Sequence, residues 1–308
     1  MKRIVFIIIV ISSAFIKSHV QQDDLPVLKG PYLGQTPPGN QSILFAGGFV
    51  STESGELNSV FTPDGKEFYF TRRGISGKRP MIMVSRMIND GWTKPGPVDF
   101  SGTYSDIDLF ISPDGKSMVF CSTRPSQIER EEKRQHDFWI SEREGDNWGT
   151  PVVFAKEAAS EFEDFFPIVA ESGNLYFNSQ RGGLGTNDIF CSRFLDGRYW
   201  PAKKLPGPVN TEFREFDAYV SQDESLIIFS SERPGGYGRS DIYVSFRKPD
   251  GNWTEPVNPG NKINSPGSEY GATVSPDRKY FFFTSNKNGT EDIFWISIKI
   301  IEELKPEK

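Results

Sequence analysis

"SERPGGYGRSDIYVS", Ser231 to Ser245, sets a glycine-rich turn beside an arginine and an aspartate. That composition fits a phosphate cradle or a plain turn between two strands. The same order returns in "SQRGGLGTNDIFCS", Ser179 to Ser192: arginine, paired glycines, a further glycine, then Asp-Ile and an aromatic. A phosphate loop is normally a single device at the mouth of one strand–helix unit. A turn that recurs together with its flanking strands marks a repeat architecture. The stretch reads as blade structure first.

Working outward, a second turn sets the period. It reads "TPDG" at Thr62–Gly65, "SPDG" at Ser112–Gly115, "AESG" at Ala170–Gly173, "SQDE" at Ser221–Glu224 and "SPDR" at Ser275–Arg278, at spacings of 50, 58, 51 and 54 residues. Pro-Asp-Gly supplies turn geometry through the fixed φ of proline and the tolerance of glycine for positive φ. Each turn precedes an aromatic or β-branched run ("KEFYF", "KSMVF", "NLYF", "SLIIF", "KYFFF") that reads as a strand. A third strand follows in each unit ("MIMVS", "DFWIS", "DIFCS", "DIYVS", "DIFWIS"), and a proline-rich fourth lies near "GWTKPGPV", "NWGTPVVF", "RYWPAKKL" and "NWTEPVNP". Proline suits an outer strand, whose ladder is unpaired on one side. Four strands per unit of about 50 residues predict an all-β, single β-propeller.

The fifth unit runs out after three strands, while a spare strand-like segment, "SILFAGGFV" (Ser42–Val50), precedes the first. A ring must close, so that segment is expected to complete the last blade. Five blades are favoured, with six the alternative if the N-terminal segment and the tail build a degenerate extra blade. The expected organisation is a signal peptide at 1–20, an extension at 21–41, the propeller at 42–304 and a tail at 305–308.

These recurring segments resemble the WD40-like "SPDG" β-propeller repeats found in the propeller domain of TolB, a periplasmic protein. The resemblance runs over about Ser42 to Lys299 and implies the fold. TolB also carries a separate N-terminal α/β domain for which this chain leaves no room, so a role in the Tol–Pal envelope system is not implied. Propellers of this kind serve as scaffolds, receptors and enzymes alike.

Composition narrows the class. Lys2 and Arg3 precede an apolar core, Ile4 to Ile16, of thirteen residues interrupted only by Ser12 and Ser13. That is shorter than the roughly 20 residues a membrane span needs and fits a secretory signal peptide better. An uncleaved anchor is the alternative. Export to the periplasm or medium is expected, with no membrane span after cleavage. Losing 1–20 removes Lys2, Arg3 and Lys17 and no acid, moving the net charge from −6 to −9, which argues against a nucleic-acid partner. Cys121 and Cys191 sit at non-equivalent places in strand-like runs and are read as separate buried thiols. Three sequons, at Asn40, Asn252 and Asn288, matter only in a glycosylating host.

An acid stands seven positions before each turn proline or its equivalent: Glu56, Asp106, Asp164, Glu215 and Glu269. A base stands ten or eleven positions after it: Arg73, Arg124, Arg181, Arg233 and Lys287. A hairpin closing at the turn brings the two nearly opposite, so five structural acid–base pairs are expected. The functional reading makes the same acids a ring at one channel mouth. Asp108 and Asp217 lie two residues further along, so surplus acid is expected in blades two and four. Asp106, Asp108, Glu215 and Asp217 are then the candidate catalytic carboxylates of a glycosidase or sialidase-like hydrolase, or a Ca²⁺ site.

The third-strand acids Asp137, Asp188, Asp241 and Asp292 are expected to bind turn amides within their blades, and Met81 replaces them in blade one. Trp92, Trp148, Trp200 and Trp253 read as inter-blade packing, with sugar stacking the functional alternative. Of the two histidines, His19 lies in the export segment and His136 ends a long charged loop, "PSQIEREEKRQHDF". A His-based triad or multi-His metal site is therefore not expected. That loop is the best candidate for a partner contact, or else a solvated loop. The favoured reading is an exported, monomeric, non-enzymatic module binding a protein or a glycan, without metal or cofactor. The alternative is the carbohydrate-active hydrolase.

Overall fold

Runs such as "EFYFTR" and "SMVFCS" set consecutive apolar side chains between polar ends, and such runs are stable only where both faces of a sheet are covered. In the computed structural model, which describes residues 27–74, 77–126, 136–183 and 185–306, they form the second strands of five antiparallel sheets. The expected signal peptide and nine residues of the charged loop, 127–135, lie outside the described residues.

Each sheet begins with an inner strand: Glu56–Phe61, Asp106–Ile111, Asp164–Val169, Glu215–Val220 and Glu269–Val274. These pack one against the next, and the fifth packs back on the first, so the ring is closed. Second and third strands follow by hairpins, for example Glu67–Arg72 and Met81–Ile88 in blade one. The outer edge is meagre. Gly96–Pro97, Val152–Val153 and Lys203–Lys204 supply two-residue pairings, and blade four has the isolated bridges Val244–Val257 and Arg247–Trp253. The prolines of these segments account for that brevity.

Closure uses the chain's other end. Ile43 pairs with Trp295 and Leu44 with Phe294, so Ile43–Leu44 is the outer strand of blade five. The segment is spent there, and no sixth sheet is built from it. Phe45, next in sequence, is buried against Phe61, Phe68, Phe282 and Trp295, which staples blade five to blade one. Upstream, Leu33 is buried and the Trp92 indole N–H donates to the Gly30 carbonyl at 2.8 Å, so part of the extension packs on blade one.

The core is a set of apolar layers between successive blades. Trp92, Trp148 and Trp253 belong to these layers, but Trp200 is 43% exposed with the Arg198 guanidinium over its ring. Cys121 is buried, Cys191 half-buried, and both are free thiols.

Candidate functional site

The ring of five acids is present and fully occupied. Each acid opens an inner strand, and directly across the hairpin stands Ser122, Ser179, Ser231 or Ser285 in blades two to five and Arg72 in blade one. Ser122, Ser231 and Ser285 donate their hydroxyls to Asp106, Glu215 and Glu269 at 2.6, 2.8 and 2.6 Å. Two residues past the serine comes the cation. Arg124 bonds Asp106, Arg181 lies 3.0 Å from Asp164, and Arg233 lies 3.3 Å from Glu215. The same guanidiniums cap the carbonyls of Phe100, Ala158 and Val209, tying the entry segment to its blade. Backbone amides of Thr52, Ser160, Thr211 and Ser265 complete four of the carboxylates.

Two of the expected pairs are not made. Glu56 is bonded by Arg72 at 2.9 Å, not by Arg73. In blade one the arginine itself takes the position across the hairpin, so Arg73 falls one residue out of step and turns to Glu291 instead. Lys287 directs its ammonium to the Ser42 hydroxyl at 2.9 Å and over the Phe294 ring, leaving Glu269 to hydroxyls. Lysine lacks the planar fork that lets arginine hold a carboxylate and a carbonyl together. Burial raises the carboxyls of Glu56 and Glu269 above the usual range, against the bonds that stabilise their charge.

The opening turn is settled by Asp241, which accepts the amide N–H groups of Tyr237 and Gly238 at 2.5 and 2.9 Å. Those amides are satisfied within the blade and are not presented to an anion.

Free functionality begins two residues deeper. In every inner strand the pairing register shifts there, and the third residue has positive φ: Asn58 at 36°, Asp108 at 53°, Phe166 at 54°, Asp217 at 51° and Gly271 at 64°. Four of the five are not glycine and carry a local steric cost. A β-bulge re-aims its side chain, and here it turns four of these positions toward the channel while Phe166 is buried in a core layer. Asn58, Asp108, Asp217 and Gly271 line a cavity of about 350 Å³. Asp108 accepts the Phe166 N–H and Asp217 the Gly271 N–H, each reaching the bulge of the next blade. Among the described residues, neither carboxyl has an ion-pair partner.

Burial pushes Asp108 up to about 6, despite the attraction of His136 and Arg73 and its bond from Phe166. Asp217 is pushed well up, first by burial and then by repulsion from Asp108. Both keep some surface on the lumen, so they are desolvated by the channel walls and still reachable from it. Two carboxyls repelling each other in a cleft are a recognised mark of functional sites.

The rim comes from loops. Arg73 holds Glu291 by two N–H bonds, and the Tyr270 hydroxyl donates to the same carboxylate. Burial opposes ionisation of Glu291, but these donors outweigh it and hold its carboxyl low. Asn178 accepts the Asp217 N–H at 3.1 Å and donates to Asn187 at 3.0 Å. His136 lies between Ser105 and Glu163, 3.0 Å from each. The histidine count gave no hint of this. Glu163 and Glu291 carried one faint signal, each standing immediately before a repeated aspartate, Asp164 and Asp292.

No family model and no curated protein matches the sequence. Solved structures match the fold. An endo-arabinase from Bacteroides thetaiotaomicron VPI-5482 superposes with a TM-score of 0.54 at 12% identity, over 85% of this chain and 96% of that one. A thermostable family-43 glycoside hydrolase gives 0.50 at 12%, over 85% and 90%. TolB from Acinetobacter baumannii gives 0.50 at 17%, over 80% of this chain, which spans 52% of that TolB. At these identities the likeness is one of architecture: the chain is a five-bladed β-propeller similar in fold to both TolB and glycoside hydrolases.

Proposed function

We propose that the chain is an exported propeller whose channel-mouth pocket binds a small polyhydroxylated ligand, a sugar unit of a glycan. The observation that carries this reading is the pair Asp108 and Asp217, set by backbone bulges into the lumen without ion-pair partners. A carboxyl near half-protonation both donates and accepts, as vicinal hydroxyls do. Carboxamides, a phenol and a guanidinium surround it in a cavity at the lower end of the small-ligand range. Export rests on Lys2, Arg3 and the apolar run that follows them.

A second reading, glycoside hydrolysis, is favoured by the unequal environments of the two carboxyls. Groups driven to different proton affinities are how one site holds an acid beside a base. Asp217 is then the proton donor and Asp108 the base or nucleophile. Asp106 and Glu215 are consumed by their arginine and hydroxyl partners and have no part in it.

The test is a thermal-shift titration with mono- and oligosaccharides, run on the wild type and on Asp108→Asn/Asp217→Asn. A saturable rise in melting temperature that the double variant loses supports the pocket. An equal rise in both places the ligand elsewhere. Release of 4-nitrophenol from chromogenic glycosides, abolished in either single variant, selects hydrolysis over binding alone.

A further inference from the structure

Three side chains from three separate segments meet at the pocket rim. Ser105 precedes the inner strand of blade two, His136 precedes its third strand, and Glu163 precedes the inner strand of blade three. The Ser105 Oγ lies 3.0 Å from His136 Nε2, and His136 Nδ1 lies 3.0 Å from Glu163 Oε2. The backbone N–H of His136 donates to the same Glu163 oxygen at 3.0 Å, and its ring packs against Phe165. The imidazole is thus held in place by two bonds to one carboxylate. An ionised carboxylate only accepts, so the neutral ring keeps its proton on Nδ1 and offers the Nε2 lone pair to the Ser105 hydroxyl. Ser105 and His136 both line the cavity that holds Asp108, and the His136 side chain is 14% exposed.

We propose that Ser105, His136 and Glu163 form a nucleophile, a general base and a positioning acid, making this pocket an acyl-transfer site for small polar esters such as O-acylated sugars. The proposal rests on the pocket being a ligand site. Ser105 Oγ attacks the ester carbonyl carbon as its proton passes to His136 Nε2. The tetrahedral adduct collapses, the C–O bond to the alcohol breaks, and His136 returns that proton to the departing oxygen. Water then attacks the acyl-serine with the same relay, releasing the carboxylic acid and restoring the hydroxyl. The Ser105 and Asp106 amides are committed to Thr123 Oγ1 and the Pro80 carbonyl, so they form no oxyanion hole. Among the described residues on the pocket wall, Arg73 spends Nε and Nη2 on Glu291, and its remaining Nη1 donors are assigned that role.

A fluorophosphonate reacts with an activated serine without need of a known substrate. The full chain is treated with this probe and the adduct mapped by peptide mass spectrometry, alongside hydrolysis of 4-nitrophenyl acetate from pH 5 to 9. The expected adduct is on Ser105, absent in Ser105→Ala, and formed at least about a hundredfold more slowly in His136→Asn. Glu163→Gln keeps the adduct but lowers kcat for the acetate with KM little changed, because the ring is no longer held toward the Ser105 hydroxyl, and Glu163→Asp restores part of the rate. A merely structural Glu163 moves neither quantity in the folded protein. No adduct on Ser105 in the folded wild type overturns the relay, as does acetate hydrolysis unchanged in Ser105→Ala. Saccharide thermal shifts separate the two readings. A saccharide shift in a wild type that forms no adduct keeps the binding pocket and removes the relay. An adduct on Ser105 with no saccharide shift keeps the relay and removes the sugar reading.

Discussion

Ser231 stands directly opposite Glu215 in the inner hairpin of blade four and donates its hydroxyl to that buried carboxylate at 2.8 Å. Arg233, two residues on, reaches back to the same oxygen and also caps the Val209 carbonyl. Its guanidinium lies over the rings of Phe229 and Tyr243. One acid is thereby the junction of an entry segment, a hairpin and a core layer.

Arg233→Ala leaves Glu215 buried with its hydroxyl and amide donors but no countercharge. A loss of about 1–3 kcal/mol is expected, read as a lower midpoint in urea with unchanged slope. Inorganic phosphate should not raise the melting temperature of either protein, because the neighbouring turn amides already serve Asp241. A phosphate-dependent rise that disappears in the variant would contradict this account of the turn.

Much of this was legible in the sequence. The Pro-Asp-Gly turns, the aromatic runs after them and the spare segment at Ser42–Val50 carried the fold because each is local chemistry repeated in register. Arg73 misled because a one-residue offset in blade one is invisible to spacing: arginine occupies position 72 where the other blades have serine. The bulges were equally hidden, since Asn, Asp, Phe and Gly share no side-chain signature at that position and only the backbone shift unites them. Ser105, His136 and Glu163 are brought together by loop geometry and not by any periodicity. Asp108 and Asp217 were visible as surplus acids, although what keeps them apart from the occupied ring is the bulge.

The closing staple predicts a large and local cost. Phe45 has no exposed surface and touches aromatic rings of both blade one and blade five. Phe45→Ala should destabilise the domain by about 3–5 kcal/mol through lost transfer energy and the cavity left behind. Amide hydrogen exchange should show Asp292–Ser297 among the first segments to lose protection. A melting temperature within a degree or so of wild type would mean that the ring does not depend on this closure.

The lumen carboxyls set a pH dependence of definite sign. Asp108 is raised from its ordinary value to about 6, so between about pH 4 and 6 the folded chain holds a proton that the unfolded chain has released. Stability must therefore fall as pH rises through that window, and Asp217, raised in the same direction, adds to the fall. Asp108→Asn removes the penalty while keeping an oxygen for the Phe166 N–H. It should be more stable than wild type at pH 8 by about 1–2 kcal/mol, a figure reduced for residual solvation of the lumen, and nearly equal to it at pH 4. Denaturation curves at the two pH values check this, and a variant less stable at pH 8 would refute it.

That the bulge carboxyls, and not the ring above them, are the free chemistry of this channel is best tested by ¹³C carboxyl NMR titration. Resonances are assigned through Asp108→Asn and Asp217→Asn. The account predicts an Asp108 midpoint near 6, an Asp217 midpoint well above the ordinary aspartate value, and a shift in each when the other is replaced. Two independent titrations in the ordinary aspartate range, near about 4, would contradict it.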